Sequence, residues 1–275
     1  MASPCEVLIE CDRTTQARGL IAIAQQEAER IEHKFSRYRD DNIVHRINSG
    51  GERIAVDEET ARLLDFAQNC YDLSDGWFDI TSGILRRAWR FGDGAQIPGQ
   101  NAIDRLLPHI GWEKVTWKKP GLTVPEGMEI DFGGIGKEYA VDSALALLTR
   151  ETDNSVMVNF GGDCSASGPL ADGSPWMTGI EDPRRPGDAT AVIQLKGGAL
   201  ATSGDVFKYI EQDGVRYGHI LNPQTGWPNT ESPLSVTVAA ATCTEAGILS
   251  TLAMLQGKDA EAFLDRQDVK YWCYR

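Results

Sequence analysis

The sequence predicts an α+β fold in which helices flank mixed or antiparallel sheets. Three observations carry this expectation. Apolar residues recur every three to four positions between residues 14 and 35, as on one face of a helix. Short apolar runs suited to strands crowd the second half, and strands and helices do not alternate as a doubly wound sheet requires. At 275 residues the chain can bury a full core, and with no linker, internal repeat or low-complexity stretch it reads as one domain over 1–275.

Residues 5–10 read as a short strand and residues 14–35 as the amphipathic helix. A second helix is expected over 57–73, where Asp57, Glu58 and Glu59 place negative charge at the positive end of the helix dipole. Residues 82–90 suggest a third helix, and the Gly- and Pro-rich stretch 98–127 a connection with one short strand near Val115. Strands follow at 128–132, 155–160, 190–195 and 234–240, with shorter ones near 175–180 and 268–274. Helices are expected at 137–150, 244–256 and 258–266.

Composition excludes several classes of function. A net charge of −13 opposes phosphate backbones and anionic lipid, which argues against nucleic-acid or membrane-surface binding. An anionic ligand must then be held locally, by glycine turns, helix N-termini, a lysine or a metal. No apolar run approaches the ~20 residues of a membrane span, and neither a signal peptide nor a membrane anchor is visible, so a cytoplasmic protein is expected. The six cysteines contain no C-x-x-C pair and are expected to be reduced and mostly buried. Oligomeric state has no readable signal.

Chemistry concentrates in a few segments. Residues 198–228 place a Thr-Ser-Gly-Asp turn about fifteen residues before His219, itself in a Gly-His-Ile-Leu-Asn-Pro-Gln-Thr-Gly loop. Small hydroxyls and glycines leave backbone N–H groups for an anion, and an imidazole can move protons near neutral pH. IDFGGIGKEYAVD runs from an expected strand through glycines into a helix bearing Lys137, a pattern that suits a phosphate but equally a plain strand-to-helix corner. It is not a phosphate-binding Walker loop, because Asp131 stands where the first glycine belongs and Glu138 follows the lysine. In DGWFDITSG, Trp77 and Phe78 can flank a planar ring while Asp79 accepts hydrogen bonds, although adjacent aromatics are more often core. Tyr38, in SRYRDDNIVHRIN, offers a further stacking group. VMVNFGGD suits a close backbone approach at a site wall, or a bulge. Asp163 and Asp205 are candidate oxygen ligands for Mg²⁺, or simply exposed turn aspartates.

These segments, in this order, resemble the ApbE family, the FAD:protein FMN transferases. The likeness covers essentially the whole chain: Met1-Ala2-Ser3, FSRYRDDNIVHRIN, DGWFDITSG, IDFGGIGKEYAVD, VNFGGD, ATSGD, HILNPQTG and the closing SVTVAAATCTEAGILSTLAMLQG. The resemblance implies FAD as substrate, with Mg²⁺ at its pyrophosphate. It implies transfer of the FMN half to a Thr or Ser hydroxyl of an acceptor flavoprotein, with release of AMP. Carried over by position, Met1, Tyr38, Trp77, Phe78 and Asp79 contact the flavin dinucleotide, and Asp131 and Lys137 hold its nucleotide portion. Leu221 adds a backbone contact, Gly134 and Thr251 ligate the metal, and His219 assists deprotonation of the acceptor hydroxyl.

The match departs from the family pattern in one consequential place. The final helix of the family carries Ala-Asp-x-x-x-Thr, whose Asp and Thr ligate the metal; here Ala246 and Thr251 align but the Asp position is Gly247. Glu245 falls roughly on the opposite helix face, Glu138 replaces a glycine, and Asn222 replaces an aspartate. Loss of a carboxylate is expected to weaken Mg²⁺. The alternatives are therefore a catalytically impaired FAD-binding carrier or sensor, and an Mg²⁺-dependent FAD pyrophosphatase.

Overall fold

The helical spacing of the N-terminal segment becomes α1 (Thr14–Phe35), which follows β1 (Cys5–Ile9). In this computed structural model, which describes residues 3–11, 13–206 and 208–275, α1 turns Leu20, Ala24, Ile31 and Phe35 into the core. Next come α2 (Ile43–Asn48), β2 (Arg53–Ala55) and α3 (Glu58–Leu73). Asp57 is the cap of α3 rather than its first residue, accepting the Thr60 N–H at 2.9 Å.

Two expected elements differ from what forms. The third helix is a 3₁₀ segment, Ile80–Arg87, drawn tight where Asp79 accepts the Thr81 N–H and where Gly83 lets Asp131 approach. A Cβ on Gly83 would stand 2.5 Å from that of Asp131. Residues 128–132 join no sheet. Their backbone is satisfied otherwise: Asn48 accepts the Ile130 N–H at 2.7 Å and donates to its carbonyl at 2.9 Å, while Asp131 N–H donates to Ile80 at 2.8 Å. Asn48→Ala should therefore cost about 1–3 kcal/mol, because both groups of fully buried Ile130 lose their partner. A thermal melt that stayed within error of the parent would refute that clamp.

The Gly- and Pro-rich connection is more structured than expected. It forms α4 (Gln100–Asp104), β3 (Thr116–Lys118) and β4 (Gly121–Thr123), and β4 lies between β2 and β3 in a small antiparallel sheet.

The second half builds the main sheet. After α5 (Gly136–Glu151) come β5 (Val156–Phe160) and β6 (Asp163–Ala166), then the ribbon of β7 (Trp176–Asp182) and β8 (Arg185–Leu195). β9 (Gly198–Gly204) is followed by the hairpin of β10 (Tyr209–Gln212) and β11 (Val215–Gly218). The chain closes with β12 (Ser235–Ala240), α6 (Cys243–Gln256), α7 (Ala260–Arg266) and β13 (Lys270–Tyr274). Six strands pair antiparallel in the order β1-β5-β6-β9-β12-β13. Helices α5 and α6 pack on this sheet and α1 packs on α5, an α+β arrangement with the core between the layers.

Two glycine-rich segments take simpler roles than the sequence suggests. Gly161 and Gly162 have φ of +64° and +95° and form the two-residue turn between β5 and β6. The Thr202-Ser203-Gly204 stretch is not a turn. It belongs to β9, where pairing with β12 continues to Gly204 opposite Ser235. Asp163 and Asp205 are likewise not exposed; they keep only 1% and 6% of their surface. Three of the six cysteines are buried and all six are free thiols.

Candidate active site

The end of β9, the first turn of α5, the inner face of α6 and the segments around Phe78 and His219 converge on a cavity of about 430 Å³. Two neighbouring depressions, about 510 and 610 Å³, share Arg37, Asp131 and Lys208 with it. The three adjoin through these residues, and each has the volume of a small-molecule site. These shared cations offset, locally, the acidic balance of the chain.

Ion pairs shape the walls. Arg37 closes an ion pair with Asp131, whose other oxygen accepts the Gly133 N–H at 2.9 Å. Arg37 also donates to the Tyr38 hydroxyl at 2.8 Å, and its guanidinium lies 4.9 Å from that ring centre. Tyr38 itself is 81% exposed. On α5, Lys137 is engaged by Asp163, whose second oxygen accepts the Thr202 N–H at 2.9 Å. Burial, the largest single effect, would depress the Lys137 ammonium, but Asp163 and Glu138 together outweigh it and raise it. Asp79 is buried and fully used within the protein. One oxygen takes the Thr81 N–H and hydroxyl, both at 2.7 Å, and the other the Trp112 N–H at 3.0 Å. Its carboxylate thus braces the wall that presents Trp77 and Phe78 to the cavity.

His219 stands where the β10–β11 hairpin returns to the cavity. Its Nδ1 lies 3.2 Å from the Lys208 carbonyl, which can only accept, so Nδ1 carries the proton and Nε2 keeps a lone pair. Burial, and secondarily the Lys208 charge, lower its pKa to about 4. The loop beyond it is set by Asn222, which accepts the Gln224 N–H at 2.8 Å through its side chain; the amide serves that turn as an aspartate would. Leu221 bridges to Pro228 across the same loop.

Helix α6 is oriented from below. The Asp142 carboxylate, one turn along α5, accepts the Cys243 and Thr244 N–H groups at 2.8 Å each, and the Thr244 hydroxyl at 2.6 Å. That fixes Gly247 and Thr251, one turn apart, on the face toward the first turn of α5. The space beside Gly247 is filled by Glu138, whose Cγ lies 2.5 Å from where a Gly247 Cβ would be. Burial, reinforced by the Asp163 carboxylate, raises the Glu138 carboxyl above the usual range. Thr251 hydroxyl lies 3.0 Å from Ser203, which in turn sits 2.8 Å from Ser250.

Of the residues singled out in the sequence, Trp77, Phe78, Asp79, Asp131, Gly134, Lys137, His219, Leu221 and Thr251 all border one cavity. Tyr38 borders the two adjoining depressions instead. Met1 lies outside the described residues, although Ser3 lines the 510 Å³ depression. Sequence reasoning missed Arg37, Lys208 and the placement of Glu138. Arg37 had a usable signal, a cation adjacent to Tyr38; the Lys208 and Glu138 positions depend on contacts between segments distant in the chain. Among the described residues, no group of three His, Cys, Asp or Glu side chains is disposed to hold a metal by itself.

Residues 1–273 match the sequence model of the ApbE family. The chain belongs to the ApbE family. It is 33% identical over 239 residues to the FAD:protein FMN transferase of Vibrio cholerae, covering 84% of this chain and 71% of that protein. The Escherichia coli K12 FAD:protein FMN transferase is 30% identical over 263 residues, or 91% of this chain and 74% of the relative. Among solved structures, the ApbE protein of Thermotoga maritima superposes with a TM-score of 0.90 at 33% identity, over 98% of this chain and 90% of that one. The apo flavinyl transferase ApbE of Pseudomonas stutzeri gives 0.84 at 27% identity, over 98% and 91%. The α+β arrangement with antiparallel sheets is thus the ApbE fold.

Proposed function

We propose that this ApbE-family chain is an FAD:protein FMN transferase acting as one domain. It takes FAD as substrate, passes FMN to a Thr or Ser hydroxyl of an acceptor flavoprotein, and releases AMP. The observation that carries this reading is the convergence on one cavity of nine residues drawn from four separate motifs, in a family whose relatives are named FAD:protein FMN transferases.

In this reading Trp77 and Phe78 contact the flavin dinucleotide with the wall braced by Asp79, and Tyr38 closes its exposed side. Asp131 and Lys137 hold the nucleotide portion together with Arg37 and Lys208, and Leu221 adds a backbone contact. Oxygen donors suited to Mg²⁺ border the cavity: Gly134 through its main chain, the Thr251 hydroxyl, and a buried carboxyl oxygen of Glu138 that has no hydrogen-bond partner. Mg²⁺ characteristically takes one or two carboxylates plus substrate phosphates, so this set fits without a cage of three acids. When bound, the ion offsets charge on the pyrophosphate. The acceptor oxygen forms a new bond to the FMN phosphorus, the P–O bond to AMP breaks with AMP taking the electron pair, and the hydroxyl proton passes to His219 Nε2.

The decisive experiment incubates the purified protein with FAD and a threonine-bearing acceptor peptide, with and without millimolar Mg²⁺. AMP, free FMN and labelled peptide are then separated by chromatography. AMP formed in step with labelled peptide, only with Mg²⁺, is the expected result. AMP with free FMN would make the chain a pyrophosphatase, and FAD recovered intact would make it a flavin-binding protein.

A further inference from the structure

We infer that Glu138 supplies the carboxylate for a divalent cation in this cleft, from α5, at the spot that a side chain on position 247 of α6 would otherwise occupy. The inference rests on the metal-dependent transferase reading above, and deepens it at one residue.

The first observation is steric. A Cβ built on Gly247 would lie 2.5 Å from Glu138 Cγ, 3.1 Å from its Cδ and 3.3 Å from Oε1. Gly247 is buried, so the absence of a side chain there is what lets the Glu138 carboxyl group enter. The two departures from the family pattern are therefore one exchange: the glycine and the acid have traded helices, and the acid still borders the cavity that Thr251 lines.

The second observation is electrostatic. The Glu138 side chain is only 12% exposed, and its Oε2 is buried with no hydrogen-bond partner. Most buried carboxyl oxygens are hydrogen-bonded, so an unpartnered one on a residue that borders a cavity suits a ligand. Its neighbours supply no donor: the Asp163 carboxylate beside it can only accept Glu138's own proton. Lys137 Nζ is 4.0 Å from Oε1 and is already engaged by Asp163.

Elimination gives the same residue. Three acids border the cavity, and two are committed: Asp79 to Thr81 and Trp112, Asp131 to Arg37 and Gly133. Asp163, just behind them, is held by Lys137 and Thr202. Glu245, the acid nearest to position 247 in sequence on α6, is exposed and does not border the cavity. Asp205 pairs with Arg216 at 2.8 Å and does not border the cavity, so among the acids that do, Glu138 alone keeps an oxygen without a donor, and Thr251 lines the same cavity.

The test uses Mn²⁺ as a spectroscopic substitute for Mg²⁺. Its affinity for the FAD-loaded protein is measured by electron paramagnetic resonance, with FAD affinity measured separately by fluorescence quenching without metal. Glu138→Gln preserves size and removes the charge; it should weaken Mn²⁺ at least about tenfold while FAD still binds and the melting profile is kept. The exchanged pair Glu138→Gly with Gly247→Asp should recover most of that affinity. Gly247→Asp alone should not strengthen binding, because the new side chain meets Glu138. Unchanged Mn²⁺ affinity in Glu138→Gln overturns the inference, as does a parent protein that binds no Mn²⁺ in the presence of FAD; should the exchanged pair fail to fold, Glu138→Gln decides alone. FMN transfer is scored independently. If the parent labels no acceptor but its Mn²⁺ binding still depends on Glu138, the transferase reading falls and this inference stands. If it labels the acceptor while Glu138→Gln holds Mn²⁺ as well as the parent, only this inference falls.

Discussion

His219→Ala should slow FMN transfer about 10²–10⁴-fold while leaving FAD bound, the size of effect expected on removing a positioned general base. The geometry assigns the lone pair. The Lys208 carbonyl at 3.2 Å accepts a hydrogen bond from Nδ1–H, and the ring borders the cavity, leaving Nε2 to accept a proton. The pKa, lowered to about 4 by burial and then by Lys208, keeps the imidazole neutral above that value. Transfer per bound FAD should therefore stay level from pH 8 to about 6, where an unperturbed histidine would already be mostly protonated. The stability consequence has a definite sign. The unfolded chain takes up this proton near pH 6.5 and the folded one only near 4, so stability tied to the neutral ring is present above 6.5 and is lost as pH falls toward 4. His219→Ala should remove that acid sensitivity. AMP release and peptide labelling, read beside FAD fluorescence, check both parts. A variant that transfers at the parent rate would show that the acceptor proton goes elsewhere.

Asp163→Ala should be the most destabilising single change at the site, by about 3 kcal/mol, because it leaves the half-buried Lys137 ammonium without the buried carboxylate that engages it. It also frees the Thr202 N–H in the strand that forms the cavity floor. For a chain of this size that corresponds to a fall in melting temperature of roughly 6–10 °C. Asp163→Asn keeps an oxygen for Thr202 and should lose less. Adding Lys137→Met to Asp163→Ala should restore part of the loss, since replacing both members of a buried pair is often neutral. Calorimetry on the four proteins tests this directly. Equal melting temperatures for parent and Asp163→Ala would mean that the pair contributes no net stability.

The contrast between these two residues shows what a sequence exposes. His219 stands in a dense run of Gly, Asn, Pro and Thr, a local pattern that marks a shaped loop whatever surrounds it. Asp163 looks like a turn aspartate because it follows two glycines, and they do form the turn. That it is buried against Lys137 depends on β6 lying inside the sheet beneath α5, which no neighbouring residue announces. Residues 128–132 mislead for the same reason. Their apolar run suits a strand, but Asn48 reaches their backbone first.

From the sequence alone came the long helices, most of the main-sheet strands and the family, because periodicity and motif order are properties of the chain itself. The 3.6-residue repeat of α1 and the caps of α3 and α6 act within a few residues of where they are written. Only the tertiary structure decided which charges neutralise one another and where the open oxygen lies. Glu138 and Gly247 each read as a loss when taken one at a time along the chain. Packed α5 against α6, they are a side chain and the space that receives it. Complementarity of that kind is a property of two surfaces, set by helix packing and by the Asp142 cap that orients α6, and a one-dimensional pattern carries the faces but not their partners.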